Sequence, residues 1–173
     1  MPQLFTNTGA GWTGLGALAS DTVGSLVHAG PGEVLIRSLS NGTILRIKDG
    51  QPSQSFLGTE VQLTSLDLVA GTGPVAGSGQ GILYSRSGND DWRPLNDYAF
   101  GWWVLSAIGY GRGVLFMLAS GSIVELDARH RRCPETGSVG ASVRGEVFTL
   151  SEREVCVVGV NGGVTTFLFV PRE

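Results

Sequence analysis

The sequence predicts an all-β fold, and three observations carry that prediction. Apolar runs are four to eight residues long, rich in β-branched and aromatic residues, and bounded by Gly, Asn, Asp or Ser. No window of eleven or more residues keeps a 3.6-residue apolar period without a glycine or turn cluster breaking it. The 27 glycines among 173 residues are roughly twice the usual share and follow no three-residue period, so they signal tight turns and exclude a collagen. With 42% hydrophobic and 16% charged residues, a single folded domain over 1–173 with a sizeable core is expected.

The elements then repeat. Gly30-Pro31-Gly32, Gly71-Thr72-Gly73 and Gly109-Tyr110-Gly111 lie 41 and 38 residues apart, each after a short strand: SLVHAG, LDLVAG and VLSAIG. A second strand follows each turn, in EVLIRSLSN, PVAGSGQ and RGVLFMLAS. A third opens at Gly42, Gly81 or Gly121, as GTILRIKD, GILYSRS and GSIVELD. The fourth comes after a polar turn, near 52–57, 92–95 and beyond Arg132. Four antiparallel strands in about 40 residues is the unit of a propeller blade. At the start, residues 4–15 parallel residues 83–95 and supply two outer strands. At the end, EVFTLSE, EVCVVGVNG and GVTTFLFV supply three more. N-terminal strands completing the C-terminal blade would close a β-propeller-like ring of four or five blades and remove its free edges.

One segment, Ser85-Arg86-Ser87-Gly88-Asn89-Asp90-Asp91-Trp92, resembles the Asp-box or BNR repeat, S-x-D-x-G-x-x-W. Ser85 and Trp92 stand in place, Ser87 replaces the aspartate and Asn89 the glycine. The N-terminal copy keeps Asn7, Gly9 and Trp12 at the third, fifth and eighth places, and later copies near Asp49 and Asp127 lack the tryptophan. The resemblance implies a β-propeller in which this turn joins the outer strands of a blade, away from any catalytic centre. The residue types support that role independently. Asn, Asp, Ser and Gly bond nearby backbone and tolerate tight turns, and a tryptophan opening the next strand buries a large ring against its neighbours. Sialidases of this family use an arginine cluster in a ring about twice this length. Here the arginines fall mainly in turns and outer strands, so a glycoside hydrolase is the least expected function.

The net charge of −3 and pI near 5.4 argue against a nucleic-acid partner. The basic cluster Arg129-His130-Arg131-Arg132 reads as a solvated loop. MPQLFTNTG has no signal-peptide character, and the apolar stretch around 98–119 is broken by glycines and Arg112. The expectation is synthesis in the cytoplasm without a membrane partner. Cys133 and Cys156 have neither metal spacing nor a disulfide framework, which leaves their pairing open. With His28 and His130 as the only histidines, and no G-x-S-x-G, H-E-x-x-H or Walker motif, neither an enzyme nor a metal or cofactor is expected.

Two places remain as candidate sites. Strand alternation puts Leu26 and His28 on one face with Asp67 and Val69, and with Leu105 and Ala107. If that face lines a channel, His28 and Asp67 meet there as a polar or metal-binding spot. Trp102-Trp103 is the other, since exposed aromatics stack on sugars or anchor protein interfaces. As neighbours in a strand the two rings would face opposite ways, with Tyr98, Phe100 and Tyr110 near enough to enlarge a patch. The function expected is a non-catalytic structural or interaction module with protein partners or self-association, in a larger assembly such as a phage or virus particle. The opening LFTN is similar to the starts of some phage virion proteins. The alternative is a carbohydrate-binding, lectin-like propeller using Trp12, Trp92 and Trp102.

Overall fold

The computed structural model describes residues 3–7, 9, 11–17, 23–39, 42–58, 61–88, 91–133, 137–142, 144–151 and 154–171. A hairpin of β1 (Gln3–Asn7) and β2 (Trp12–Ala17) comes first. Sheet I is β3 (Val23–Gly30), β4 (Glu33–Ser38), β5 (Thr43–Lys48) and β6 (Gln51–Phe56). Sheet II is β7 (Leu63–Val69), β8 (Gly73–Ser78), β9 (Leu83–Ser87) and β10 (Asp91–Pro94). Sheet III is β11 (Val104–Tyr110), β12 (Gly113–Leu118), β13 (Ser122–Leu126) and the short β14 (Gly137–Ser138). Sheet IV is β15 (Arg144–Ser151), β16 (Glu154–Asn161) and β17 (Val164–Pro171). Within each sheet the strands pair antiparallel in chain order.

Turn chemistry fixes these hairpins. Asp49 and Gly50 both have positive φ (50° and 77°) between the paired Lys48 and Gln51, the backbone of a twist-compatible two-residue turn. Gly162 and Gly163 (φ 55° and 82°) do the same between Asn161 and Val164. The first strands of the sheets are less regular. Register shifts interrupt β3 at Val23/Leu26 and His28/Gly30, β7 at Leu63/Ser65 and β11 at Val104/Ser106.

The sheets stack face on face, and three cores lie between them. Leu35 and Ile44 of sheet I meet Leu66 and Ala76 of sheet II, with Trp92 packed against the cluster. Val69, Val75 and Leu83 of sheet II meet Val104, Val114, Phe116 and Val124 of sheet III. Leu115, Met117 and Ile123 of sheet III meet Val147, Val155, Val157 and Val170 of sheet IV. A buried ion pair ties the first two sheets: Glu33 accepts from Arg86 at 2.7 and 3.1 Å and from Arg46 at 2.5 Å. The Arg86 hydrogen bonds, reinforced by Arg46, hold the Glu33 carboxyl at about 2, overriding the opposing effect of burial.

The inner strands follow one another around an arc, β3 beside β7, β7 beside β11 and β11 beside β15. No comparable packing joins β15 to β3 among the described residues. The termini also share no sheet among those residues: β1 and β2 pair only with each other, and β17 only with β16.

Candidate functional site

The segment between β10 and β11 builds the most distinctive surface. Its folding starts at Asn96, which is buried. The Asn96 Oδ1 accepts from the Leu83 N–H at 2.8 Å, and its amide donates to the carbonyls of Gly81 (3.3 Å) and Tyr98 (2.5 Å). One side chain thus binds the loop 95–101 onto β9. Phe100 then packs edge-on against Phe116 (centroids 5.3 Å) and Tyr98 (4.9 Å), with the Arg132 guanidinium 5.3 Å above its ring. At Gly81 (φ 79°) an added Cβ would lie 2.7 Å from Phe100 and 2.9 Å from the Trp102 carbonyl, so only glycine allows this approach. The Gly101 N–H donates to the Gln80 carbonyl at 2.9 Å, and the Trp103 carbonyl accepts from Ala119 at 2.8 Å. Thr64 from the neighbouring sheet donates to the Val104 carbonyl at 2.7 Å.

These contacts hold Trp102 and Trp103 just before β11 begins, both about half-exposed. They line one cleft of about 490 Å³ with Gly79, Gly101, Ala119, Ala141, Ser142 and Asn161. The expectation that the two rings face opposite ways is therefore corrected. It assumed strand backbone, and these residues sit in a loop where alternation does not apply. Residues from sheets II, III and IV all reach this cleft. Small side chains make its floor, and Gly79 leaves only van der Waals room beneath the Trp103 indole.

Tyr98 is exposed and beside this loop, whereas Tyr110 is at the far end of β11. Six residue steps of strand separate Tyr110 from Val104, about 20 Å. Tyr110 is buried, donates its hydroxyl to the Pro171 carbonyl, and borders a different cavity of about 520 Å³ with Arg112, Glu125 and Asp127. It does not belong to the tryptophan surface.

His28 and Asp67 do not meet. His28 pairs with Val34, so it shares the face of sheet I opposite to Val27 and Leu35, and it is exposed. Asp67 lies on the face of sheet II turned to sheet III, where Ser106 donates to its Oδ1 at 3.4 Å. The glycine alignment put the two on one face because it assumed unbroken alternation, and the shift at His28/Gly30 inverts the phase. Burial pushes the Asp67 carboxyl up to about 6, against the hydrogen bonds from Ala107 and Ser106 and with the Glu146 charge adding to the rise. Its Oδ2 and the Ser65 hydroxyl are both sealed from solvent, and although their geometry falls short of a regular hydrogen bond, the nearby Ser65 side chain is the strongest influence pulling the Asp67 pKa back down. Arg37 lies close by and donates to Leu63 and Ser25. Burial lowers the Arg37 pKa, and the Asp67 charge works in the other direction.

Of the turn motif, Trp92 packs into the core between sheets I and II. Ser87 reaches the Asp91 carbonyl only at 3.4 Å, and Ser85 pairs with Arg93 across the outer strands. Asn89 lies outside the described residues. At the N-terminal copy Asn7 pairs with Trp12, Gly9 takes φ 89°, and the Trp12 ring is 73% exposed. Cys133 and Cys156 are free thiols, and no group of three metal-ligating side chains occurs among the described residues. Sequence reasoning missed Asn96 and the Glu33–Arg86 pair. Asn96 sits in an Asn-Asp-Tyr run that reads as an ordinary turn, and Glu33 and Arg86 are too far apart in sequence for any local pattern to join them.

No protein-family model matches the sequence, and no curated protein matches it. Solved structures do. YCF48 from Cyanidioschyzon merolae aligns over 97% of this chain and 60% of its own, at 14% identity and a TM-score of 0.65. The computationally designed Ika4 protein aligns over 89% of this chain and 94% of its own, at 15% identity and a TM-score of 0.68. PorZ, a bacterial surface component of the type-IX secretion system of Porphyromonas gingivalis, aligns over 91% of this chain and 23% of its own, at 15% identity and a TM-score of 0.57. The chain spans about three fifths of YCF48 and a quarter of PorZ. These likenesses, with the stacked antiparallel sheets, make the fold all-β and β-propeller-like.

Proposed function

We propose that this chain is a non-catalytic interaction module that holds an apolar segment of another protein in the Trp102–Trp103 cleft. The cleft itself supports the reading. Two half-exposed indoles stand over a floor of glycine and alanine, on a loop fixed by buried hydrogen bonds. A rigid aromatic surface loses little entropy on binding, and tryptophan is over-represented among residues that dominate protein interfaces. Burying one Leu- or Phe-sized side chain contributes about 1.5–3 kcal/mol. A micromolar complex requires about 8 kcal/mol, so about three to five apolar anchors are needed, with the indole N–H groups offering donors for peptide carbonyls. The Asp-box-like turn fits a framework role, because its tryptophan packs, partly buried, against the core between sheets I and II. The setting we propose is a larger assembly such as a phage or virus particle.

A carbohydrate would stack on the same indoles, but its hydroxyls also need polar partners. Among the described residues, the only polar side chains lining the cleft apart from the indoles are Ser142, already bonded to the Gly140 carbonyl, and Asn161. That favours a peptide. Panning a random-peptide display library against the purified chain, with a glycan array alongside, separates the readings. Support is an enriched peptide family with apolar anchors whose binding is lost in Trp102→Ala and Trp103→Ala, with circular dichroism unchanged. Enrichment that survives both substitutions sinks the peptide reading. Glycan binding abolished by them transfers the cleft to the lectin reading.

A further inference from the structure

The last strand of a sheet leaves a row of backbone N–H and C=O groups at its outer edge, and such an edge is a template for another chain unless something blunts it. In sheets I, II and III something does. β6 (QPSQSF) is interrupted by Pro52 and carries mostly polar side chains, β10 (DWRP) is four residues long with Asp91, Arg93 and Pro94, and β14 is two residues long. β17 (VTTFLFVP) differs: it has eight residues, no charge, and proline only at its end. It pairs with β16 over its whole length without a register shift, and among the described residues nothing pairs with its other side. Val170 and Leu168 turn toward sheet III. Phe167 and Phe169 lie on the opposite face and are 58% and 55% exposed.

The hairpin turn fixes which backbone groups face outward. The two-residue turn Gly162-Gly163 is closed by Asn161 and Val164, a pair that exchanges both backbone hydrogen bonds. Alternation then turns the backbone groups of Thr166, Leu168 and Val170 toward β16, and those of Thr165, Phe167 and Phe169 toward the free edge. We propose that this edge pairs antiparallel with the same edge of a second copy, about a twofold axis through Leu168. The occupant is a second copy because the edge is its own complement. Antiparallel pairing centred on one residue keeps every side chain opposite another on the same face. Phe167 of each copy lies opposite Phe169 of the other and exchanges both backbone hydrogen bonds with it. The cross-strand row Glu146–Val158–Phe167 then runs on into Phe169–Cys156–Phe148 of the second copy. Aromatic pairs across strands are stabilising, and a strand without charge does not repel its own copy. Pro171, which has no N–H to give, falls opposite Thr165 and outside both aromatic pairs. A contact in which one patch meets itself is isologous and closes at two copies.

Area sets the strength of the contact. Eight residues of strand span roughly 26 Å and a sheet with its side chains is about 10 Å thick, so the paired edges cover about 260 Å² per copy. A stable complex needs about 800 Å² per partner. The pair is therefore weak and reversible, and it forms where copies are concentrated. It does not use the Trp102–Trp103 cleft, so either proposal can fail without the other.

Sedimentation velocity and light scattering of the intact chain from about 10 µM to about 1 mM test it. The expected mass rises reversibly from the 18.1 kDa of one chain and levels at twice that value. Phe167→Lys with Phe169→Lys sets like charges opposite each other and holds the mass at one chain, with circular dichroism unchanged. Phe167→Lys with Phe169→Glu removes the same two rings but sets opposite charges face to face, so the dimer returns and weakens with added salt. A single-chain mass for the native protein across the range overturns the proposal. So does a mass that climbs past two chains, a dimer indifferent to Phe167→Lys with Phe169→Lys, or a charge-matched variant as monomeric as the like-charged one.

Discussion

Replacing Asn96 with alanine tests whether one buried amide holds the tryptophan loop. The substitution removes the acceptor for the Leu83 N–H and the donors to the Gly81 and Tyr98 carbonyls. A buried N–H left without a partner costs about 1–3 kcal/mol, and carbonyls, with two lone pairs each, tolerate the loss better. A total of about 2–4 kcal/mol follows, or a fall in melting temperature of roughly 6–12 °C for a domain of this size. Thermal unfolding by circular dichroism measures the loss. Indole emission well below the transition shows whether Trp102 and Trp103 have moved into water. Asn96→Asp is the discriminating control. It keeps the acceptor for Leu83 but places a carboxylate oxygen against two carbonyls, so it is at least as damaging as alanine. An aspartate variant that melts with the native chain would falsify this account, since a residue that merely fills space accepts a near-isostere.

Two further substitutions address buried charge. Glu33→Gln removes the anion from Arg86 and Arg46, whose side chains are only 12% and 18% exposed, and should cost about 2–4 kcal/mol at pH 7. Because the folded carboxyl sits at about 2 against an ordinary 4.5, its stabilisation is complete above about pH 4.5 and disappears toward pH 2. Denaturant melts across that window should converge for the native chain and the Glu33→Gln variant, and parallel curves refute the pairing. Asp67 has the opposite sign. Its carboxyl is raised to about 6 from 3.8, so the folded chain retains the proton longer and loses stability as pH rises through that interval. Asp67→Asn should flatten the loss and be the more stable form at pH 8, as measured by urea midpoints. A native chain whose midpoint rises between pH 4 and 6 relative to the variant contradicts this.

The strands were legible because their ends are punctuated. Asp49-Gly50 and Gly162-Gly163 both mark hairpins directly, and β-branched runs such as VCVVGV leave no competing helical period. The phase of the faces was harder to read. A register shift adds no residue type of its own, so the break at His28/Gly30 is invisible in SLVHAG, and the inferred His28–Asp67 face inverted with it. Trp102-Trp103 was visible as a pair, but its loop backbone was hidden by the apolar residues that follow. Asn96 and Glu33 act through partners on other strands, and no short-range pattern encodes those.

The two tryptophans of the repeated turn give the sharpest contrast between motif and environment. Trp92 and Trp12 hold the same motif position, each at the start of the second strand of a hairpin. Trp92 packs against a core made by Leu35, Ile44, Leu63, Leu66 and Ala76, whereas the Trp12 ring is 73% exposed. Removing a buried aromatic costs about 3–5 kcal/mol, and Trp92 is partly buried, so Trp92→Ala should cost about 2–4 kcal/mol. Its indole N–H is sealed without a hydrogen-bond partner, so Trp92→Phe, which deletes that donor and keeps a ring, should cost markedly less. Trp12→Ala should leave the unfolding free energy of the single chain unchanged within about 0.5 kcal/mol. Urea unfolding at low protein concentration reads these losses. Equal losses from Trp12→Ala and Trp92→Ala in the single chain would mean that the motif, rather than the neighbouring sheet, fixes the worth of the ring. The stacked-sheet reasoning would then fail at its most specific point.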